Sequence, residues 1–146
     1  MEKTKLLKMI LAAKNSCTIT IAGTSMMPIL QHGQEVTVLR QSDYIIGDIL
    51  VYEYKNEGLL AHRLLKIENG RYFCKGDNSF RIEDISKEQI MGKIPLEQDD
   101  HTADTFIQAS YAIGRLFRKC GYNLEMTKAN PQYREYAHTY LEKTHE

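Results

Sequence analysis

The sequence predicts a mainly β fold, α+β overall, in which a small antiparallel β domain is framed by an N-terminal helix and by C-terminal helices. Three observations carry that expectation. Short segments between residues 18 and 94 alternate polar and apolar side chains or run continuously apolar, as half-buried and fully buried strands do. Turn formers separate them at Gly47-Asp48, Asn56-Glu57-Gly58 and Asn69-Gly70. Both ends of the chain instead space their apolar residues as helices do.

Residues 3–14 open the chain as a helix, with Leu6, Leu7, Ile10 and Leu11 on one face. Thr18-Ile19-Thr20-Ile21 then alternates as a strand, and so does Glu35-Val36-Thr37-Val38-Leu39. Gly47-Asp48 turns into the buried strand Ile49-Leu50-Val51-Tyr52-Glu53-Tyr54, and the turn at 56–58 sends the chain back as a strand over 59–67. Asn69-Gly70 is the strongest hairpin signal, because both residues accept positive φ. It leads into Arg71-Tyr72-Phe73-Cys74-Lys75, and a further short strand covers 89–94. From about residue 101 helical spacing returns. Phe106, Ile107, Ala109, Tyr111, Ile113, Leu116 and Phe117 mark one amphipathic helix ending near Cys120-Gly121, with Arg115, Arg118 and Lys119 toward the end that favours cations. Asn130-Pro131 opens a last helix through about Lys143, where Tyr133, Tyr136 and Tyr140 recur at helical spacing and are expected to pack on the β domain. The chain thus divides into a β domain with its N-terminal helix, 1–100, and a helical extension packed on it, 101–146.

A chain of 146 residues makes one ordinary domain that needs neither disulfide nor metal for stability. Nineteen basic and nineteen acidic residues cancel, so no net field favours nucleic acid or an anionic bilayer. Three cysteines, Cys17, Cys74 and Cys120, form an odd set without a CxxC, which fits a reducing compartment, and Cys74 is expected in the core. No glycine-rich phosphate loop or metal-ligand spacing is present, so neither cofactor nor metal is expected. No segment reaches the ~20 apolar residues of a membrane span. Residues 6–13 are too short, and Lys8 interrupts them and spoils the apolar region of a secretory signal. The expected location is cytoplasmic. The N-terminal helix either packs on the domain or serves as a weak peripheral anchor at a membrane.

Three residues carry the chemistry. Ser25 lies in Gly23-Thr24-Ser25-Met26-Met27-Pro28, where Gly23 permits a tight path, Pro28 fixes φ, and two methionines would sit in what should be a turn. A serine is a poor nucleophile until a base takes its proton. His62 supplies an imidazole, the side chain suited to proton transfer near neutral pH. Asp77, in Lys75-Gly76-Asp77-Asn78, can hold that imidazole in one tautomer and stabilise its protonated form. The same Gly-Asp-Asn is also good turn chemistry.

At these residues a resemblance enters. Gly-Thr-Ser-Met-Met-Pro-Ile-Leu at 23–30 resembles the serine box of type I signal peptidases, within the wider S24/S26 group. Gly47-Asp48-Ile49-Leu50-Val51-Tyr52 is similar to their next strand, and Ala61-His62-Arg63-Leu64-Leu65-Lys66-Ile67 to the base-bearing box in its histidine version. Lys75-Gly76-Asp77-Asn78-Ser79 resembles the aspartate box, and Gln89-Ile90-Met91-Gly92-Lys93-Ile94 the closing strand. The resemblance covers about 17–95 and implies the small antiparallel fold shared by signal peptidases and self-cleaving repressors. It implies a serine endopeptidase of the Ser-His branch, with Ser25 as nucleophile, His62 as general base and Asp77 as orienting acid. A second acid can matter in that branch, and Glu83 and Asp84 are both candidates. Its substrate would be a peptide or precursor protein with small residues, often alanine, before the cut.

The sequence departs from the pattern in two places. Gly23 stands where many bacterial members carry an oxyanion-binding serine, which leaves the Ser25 backbone N–H and the Thr24 hydroxyl for that task. The family's usual membrane anchor is also missing. Two rival functions follow. One is a self-cleaving repressor-like domain, for which Lys66, four residues beyond His62, is the nominal base. Ala22-Gly23 lies too close to Ser25 to serve as the cut site, and the segment before residue 17 is too short for a DNA-binding domain. The other is a catalytically silent module that binds a peptide or protein.

Overall fold

The computed structural model describes residues 2–145, with side chains described for 4–138. Helix α1 spans Glu2–Lys14. Seven strands follow: β1 (Ser16–Thr20), β2 (Glu35–Leu39), β3 (Ile49–Glu53), β4 (Leu59–Glu68), β5 (Arg71–Lys75), β6 (Glu83–Ser86) and β7 (Ile90–Lys93). Three helices close the chain: α2 (Asp104–Lys119), α3 (Leu124–Ala129) and α4 (Pro131–His145). The strands form one sheet in the order β1-β2-β7-β3-β4-β5-β6, with antiparallel pairing throughout. β1 and β4 stand four places apart in that order yet line one cavity, so the sheet curls on itself.

Strand alternation sorts the core into layers. Val36 and Val38 of β2, Ile49 and Val51 of β3, and Leu7 and Leu11 of α1 build one apolar cluster. Tyr52, Leu64, Tyr72, Cys74 and Ile85 build a second on the other face. A bulge in β4 between Leu64 and Lys66 changes the register and turns both Leu65 and Lys66 toward the C-terminal helices. Leu65 joins Phe106, Ile113, Leu116 and Phe117 of α2 and Tyr133 of α4 in a third cluster. Each such fully buried side chain contributes about 2 kcal/mol. Gly114 allows this approach, because a Cβ there would stand 2.5 Å from Cγ1 of Ile82.

Several expectations are adjusted. β1 begins two residues earlier than the alternation suggested. Leu7 and Leu11 are buried, but Leu6 is 57% exposed, so the apolar face of α1 is split. β6 and α3 were not anticipated, since Glu-Asp-Ile-Ser and Leu-Glu-Met-Thr-Lys-Ala are short and polar. Tyr133 is buried and Tyr136 packs against the same cluster, while Tyr140 lies outside the described side chains. Cys74 is fully buried, and burial pushes its thiol well up. No helix among the described residues is long and apolar enough to cross a membrane.

Candidate functional site

The turn after β1 presents Ser25. Gly23 adopts φ +85°, and its N–H donates to Nδ1 of His32 at 2.8 Å. Met26 is 2% exposed and plugs the turn into the core, where its sulfur accepts the Asp77 N–H. The neighbouring hydroxyl is thereby held at the surface of the domain. Asn78 grips the turn from the other side: its N–H donates to the Ser25 carbonyl at 2.8 Å and its side-chain amide to the Thr24 carbonyl at 3.1 Å. Gly76 makes this approach sterically feasible, because a Cβ there would lie 2.6 Å from the Ser25 carbonyl oxygen and 3.1 Å from Nε2 of His62.

His62 sits in β4, 5% exposed, and its Nε2 lies 2.9 Å from the Ser25 Oγ. Its Nδ1 meets Oε1 of Glu83, at the start of β6, at 2.5 Å. Cys74 bridges the two strands in register, opposite Leu64 of β4 and Glu83 of β6, so Glu83 reaches His62 across β5 on one sheet face. Glu83 is itself fixed. The Tyr52 hydroxyl donates to Oε1 at 2.7 Å and the Arg81 Nε donates to Oε2 at 2.9 Å. Burial alone would raise the Glu83 carboxyl, but the bonds from His62, Tyr52 and Arg81 outweigh it and hold the acid below its usual range. Burial, with Cys74 and Glu83 adding to it, pushes the Tyr52 phenol well up, so it remains a donor. With Glu83 ionised, the proton belongs on Nδ1 and Nε2 faces the hydroxyl as an acceptor. The arrangement can take a proton from Ser25 and stabilise the resulting imidazolium.

Asp77 does not occupy the orienting position expected of it. Its carboxylate is fully buried on the other face of the sheet, where Arg63 donates through Nε and the guanidinium Nη2, at 2.9 Å each, and Nδ1 of His101 lies at 2.9 Å. The alternation of β4 explains the difference: His62 and Arg63 are adjacent and therefore point to opposite faces. Burial would raise the Asp77 carboxyl, and the His101 and Arg63 bonds more than offset that and lower it. Arg63 also binds Asp99 at 2.7 and 2.9 Å, and the His101 ring stacks on Phe106 at 3.9 Å. Of the two remaining acids, Glu83 is the one at the histidine, and Asp84 is exposed and paired with Arg71. Thr24 lies exposed on the serine turn. Lys66, four residues beyond His62, would share its face in a regular strand. The bulge turns it to the opposite face, where it pairs with Glu68 and lies over the Tyr111 ring.

Sequence reasoning missed Tyr52, Arg81, Asp99, His101 and the role of Arg63. Tyr52 reads as one more strand aromatic, and nothing local marks Asp99 or His101. Arg81 and Glu83 stand two apart just beyond the Asp77 box, the one pattern that pointed toward the site. A cavity of about 620 Å³ opens from Ser25 and His62 and runs between the outer edge of β1 and the first residues of β4. Among the described residues no group of three histidines, cysteines or acids is placed to hold a metal ion.

No curated protein matches the chain. A model of the Peptidase S24-like family matches residues 2–95, a span that contains Ser25, His62, Asp77 and Glu83 and ends before Asp99 and the C-terminal helices. That span is most of the chain, and the protein accordingly belongs to the peptidase S24-like family.

Proposed function

We propose that the chain is a serine endopeptidase, of signal peptidase type and its Ser-His branch, that cleaves a peptide or precursor protein through an acyl-enzyme on Ser25. The observation that carries this is the unbroken chain of contacts from Ser25 Oγ to His62 Nε2 and from His62 Nδ1 to Glu83, at the mouth of an apolar groove. Ser25 attacks the scissile carbonyl while its proton passes to Nε2 of His62. Glu83 stabilises the imidazolium. The tetrahedral oxyanion is met by the Ser25 backbone N–H and the Thr24 hydroxyl. His62 then returns the proton to the leaving amine, and water, activated by the same imidazole, hydrolyses the ester.

The groove suits an extended substrate. β4 pairs with β5 only from Arg63 onward, so residues 59–62 keep one main-chain edge unpaired, and β1 is an edge strand of the sheet. A peptide lying between them gains hydrogen bonds as an added strand does. The test compares wild type with Ser25→Ala and His62→Ala on candidate substrate peptides, alongside labelling of Ser25 by a peptide phosphonate. Wild-type cleavage that both variants lose supports the proposal. Equal cleavage by all three proteins, or failure of the probe to label wild type, refutes it and favours a silent binding module.

A further inference from the structure

We infer that helix α1 is a wall of the substrate groove and that Leu6, with Ile10 beside it, selects an aliphatic residue in the cleaved peptide. This rests on the peptidase reading above and names the substrate feature it would recognise. The cavity that begins at Ser25 and His62 is continuous with the α1 residues Thr4, Leu6, Leu7 and Ile10. Its floor is the surface of the first core cluster, where Ile19, Leu59 and Ala61 remain only partly covered. Among the described residues, every side chain that lines it apart from His62 is uncharged. A charged peptide side chain entering there would lose its hydration without meeting a carboxylate, ammonium or guanidinium among those residues.

Leu6 distinguishes this groove from one that only accepts alanine. Its neighbour Leu7 and also Leu11 are anchored in the core, so α1 is fixed in place, yet Leu6 is 57% exposed at the cavity wall. An isolated exposed leucine needs no explanation. One that lines, together with Leu59 and Leu60 of β4, a cavity containing a serine–histidine pair offers apolar surface that a branched side chain covers more fully than a methyl group does. The substrate class that follows is an extended, uncharged peptide with a leucine, isoleucine or valine near the cut.

The test uses the full chain and internally quenched peptides on an alanine background, with a single Leu, Ala or Asp at each of three positions on either side of the bond. At one position leucine should lower KM about tenfold relative to alanine, and aspartate there should abolish measurable binding. Leu6→Asp, at an exposed site and so not expected to unfold the chain, should erase that leucine advantage, read as the ratio of kcat/KM on the leucine peptide to that on the alanine peptide. Leu6→Ala should give a graded loss. The inference is overturned if no position favours leucine, or if Leu6→Asp leaves the preference intact. It is also overturned if Leu6→Asp abolishes co-sedimentation with anionic vesicles but not the preference, which would make α1 an interfacial anchor. Cleavage by Ser25→Ala equal to wild type, or no cleavage of any peptide by wild type, refutes the peptidase reading itself, an outcome distinct from those on Leu6.

Discussion

Replacing Glu83 by glutamine tests the site most directly. The change keeps the size of the side chain and removes one charge 2.5 Å from Nδ1 of His62. Glutamine has two orientations here, and each fails. With its oxygen toward His62 and Tyr52, its NH2 faces the Arg81 Nε, so two donors meet. With its NH2 toward His62, the Nδ1 must accept, the imidazole proton moves to Nε2, and the nitrogen that should take the Ser25 proton is already protonated. The electrostatic part is sizeable on its own: opposite unit charges about 4 Å apart in a site of effective dielectric about 20 interact by about 4 kcal/mol. Losing that from a transition state with an imidazolium corresponds to about 10³-fold in kcat. The assay is kcat and KM on a cleaved peptide, with KM expected to change little because Glu83 is buried behind the histidine. A Glu83→Gln enzyme within threefold of wild type would refute the reasoning, since the carboxylate would then be a structural anchor only.

Four further outcomes are expected. Asp77→Asn leaves the buried Arg63 without half of its carboxylate partners and should cost about 3–5 kcal/mol, seen as a Tm drop on the order of 10 °C, while kcat at a temperature where the variant is folded stays within about tenfold. Gly76→Ala pushes a methyl group into the Ser25 carbonyl and toward the His62 ring, so peptide cleavage should fall at least 100-fold for a stability loss of about 1–3 kcal/mol measured in urea. Lys75 is fully buried, and burial lowers its ammonium from the usual range to about 7, with Asp77 and Glu83 only partly opposing. Between about pH 7 and 10 the unfolded chain then binds a proton that the folded chain does not, so stability should rise with pH by up to ~4 kcal/mol, and Lys75→Met should remove that slope; parallel urea midpoints for both proteins would contradict it. Lys66→Ala should leave peptide cleavage unchanged, and a large loss of activity would restore lysine as the base.

The β architecture was largely legible because it depends on local rules. Asn69 at φ 52° and Gly70 at φ 75° occupy the hairpin that their sequence advertises, and β5 runs over Arg71–Lys75 as its alternation implies. That Ser25 and His62 would meet was also legible, each residue standing in a distinctive neighbourhood. Which carboxylate would meet the histidine was not. Asp77 has the better local context, a glycine before it and an asparagine after it, but that context reports a turn and not the face on which the side chain emerges. The choice between Asp77 and Glu83 depends on register across β4, β5 and β6, including the bulge at Leu64–Lys66, and register is a property of paired strands. The same bulge undid the placement of Lys66, since a spacing of four keeps one face only in a regular strand.

Adjacent residues of β4 thus serve two layers. His62 faces the serine, and Arg63 faces a closed cluster of Asp77, Asp99 and His101 behind it. Two members of that cluster lie beyond the part of the chain matched by the family. The segment 99–101 therefore fastens the C-terminal helices to the strand that carries His62 and to the turn that follows β5. Phe80 extends the same attachment by stacking on Phe117 of α2 at 4.2 Å. That turn also supplies Asn78, whose N–H and amide hold the serine turn by its carbonyls. A continuous path of contacts therefore runs from segment 99–101 through Asp77 and Asn78 to the backbone of Ser25. The extension thus meets the candidate site from behind, through contacts that position main chain and not through the His62 ring or the Ser25 hydroxyl.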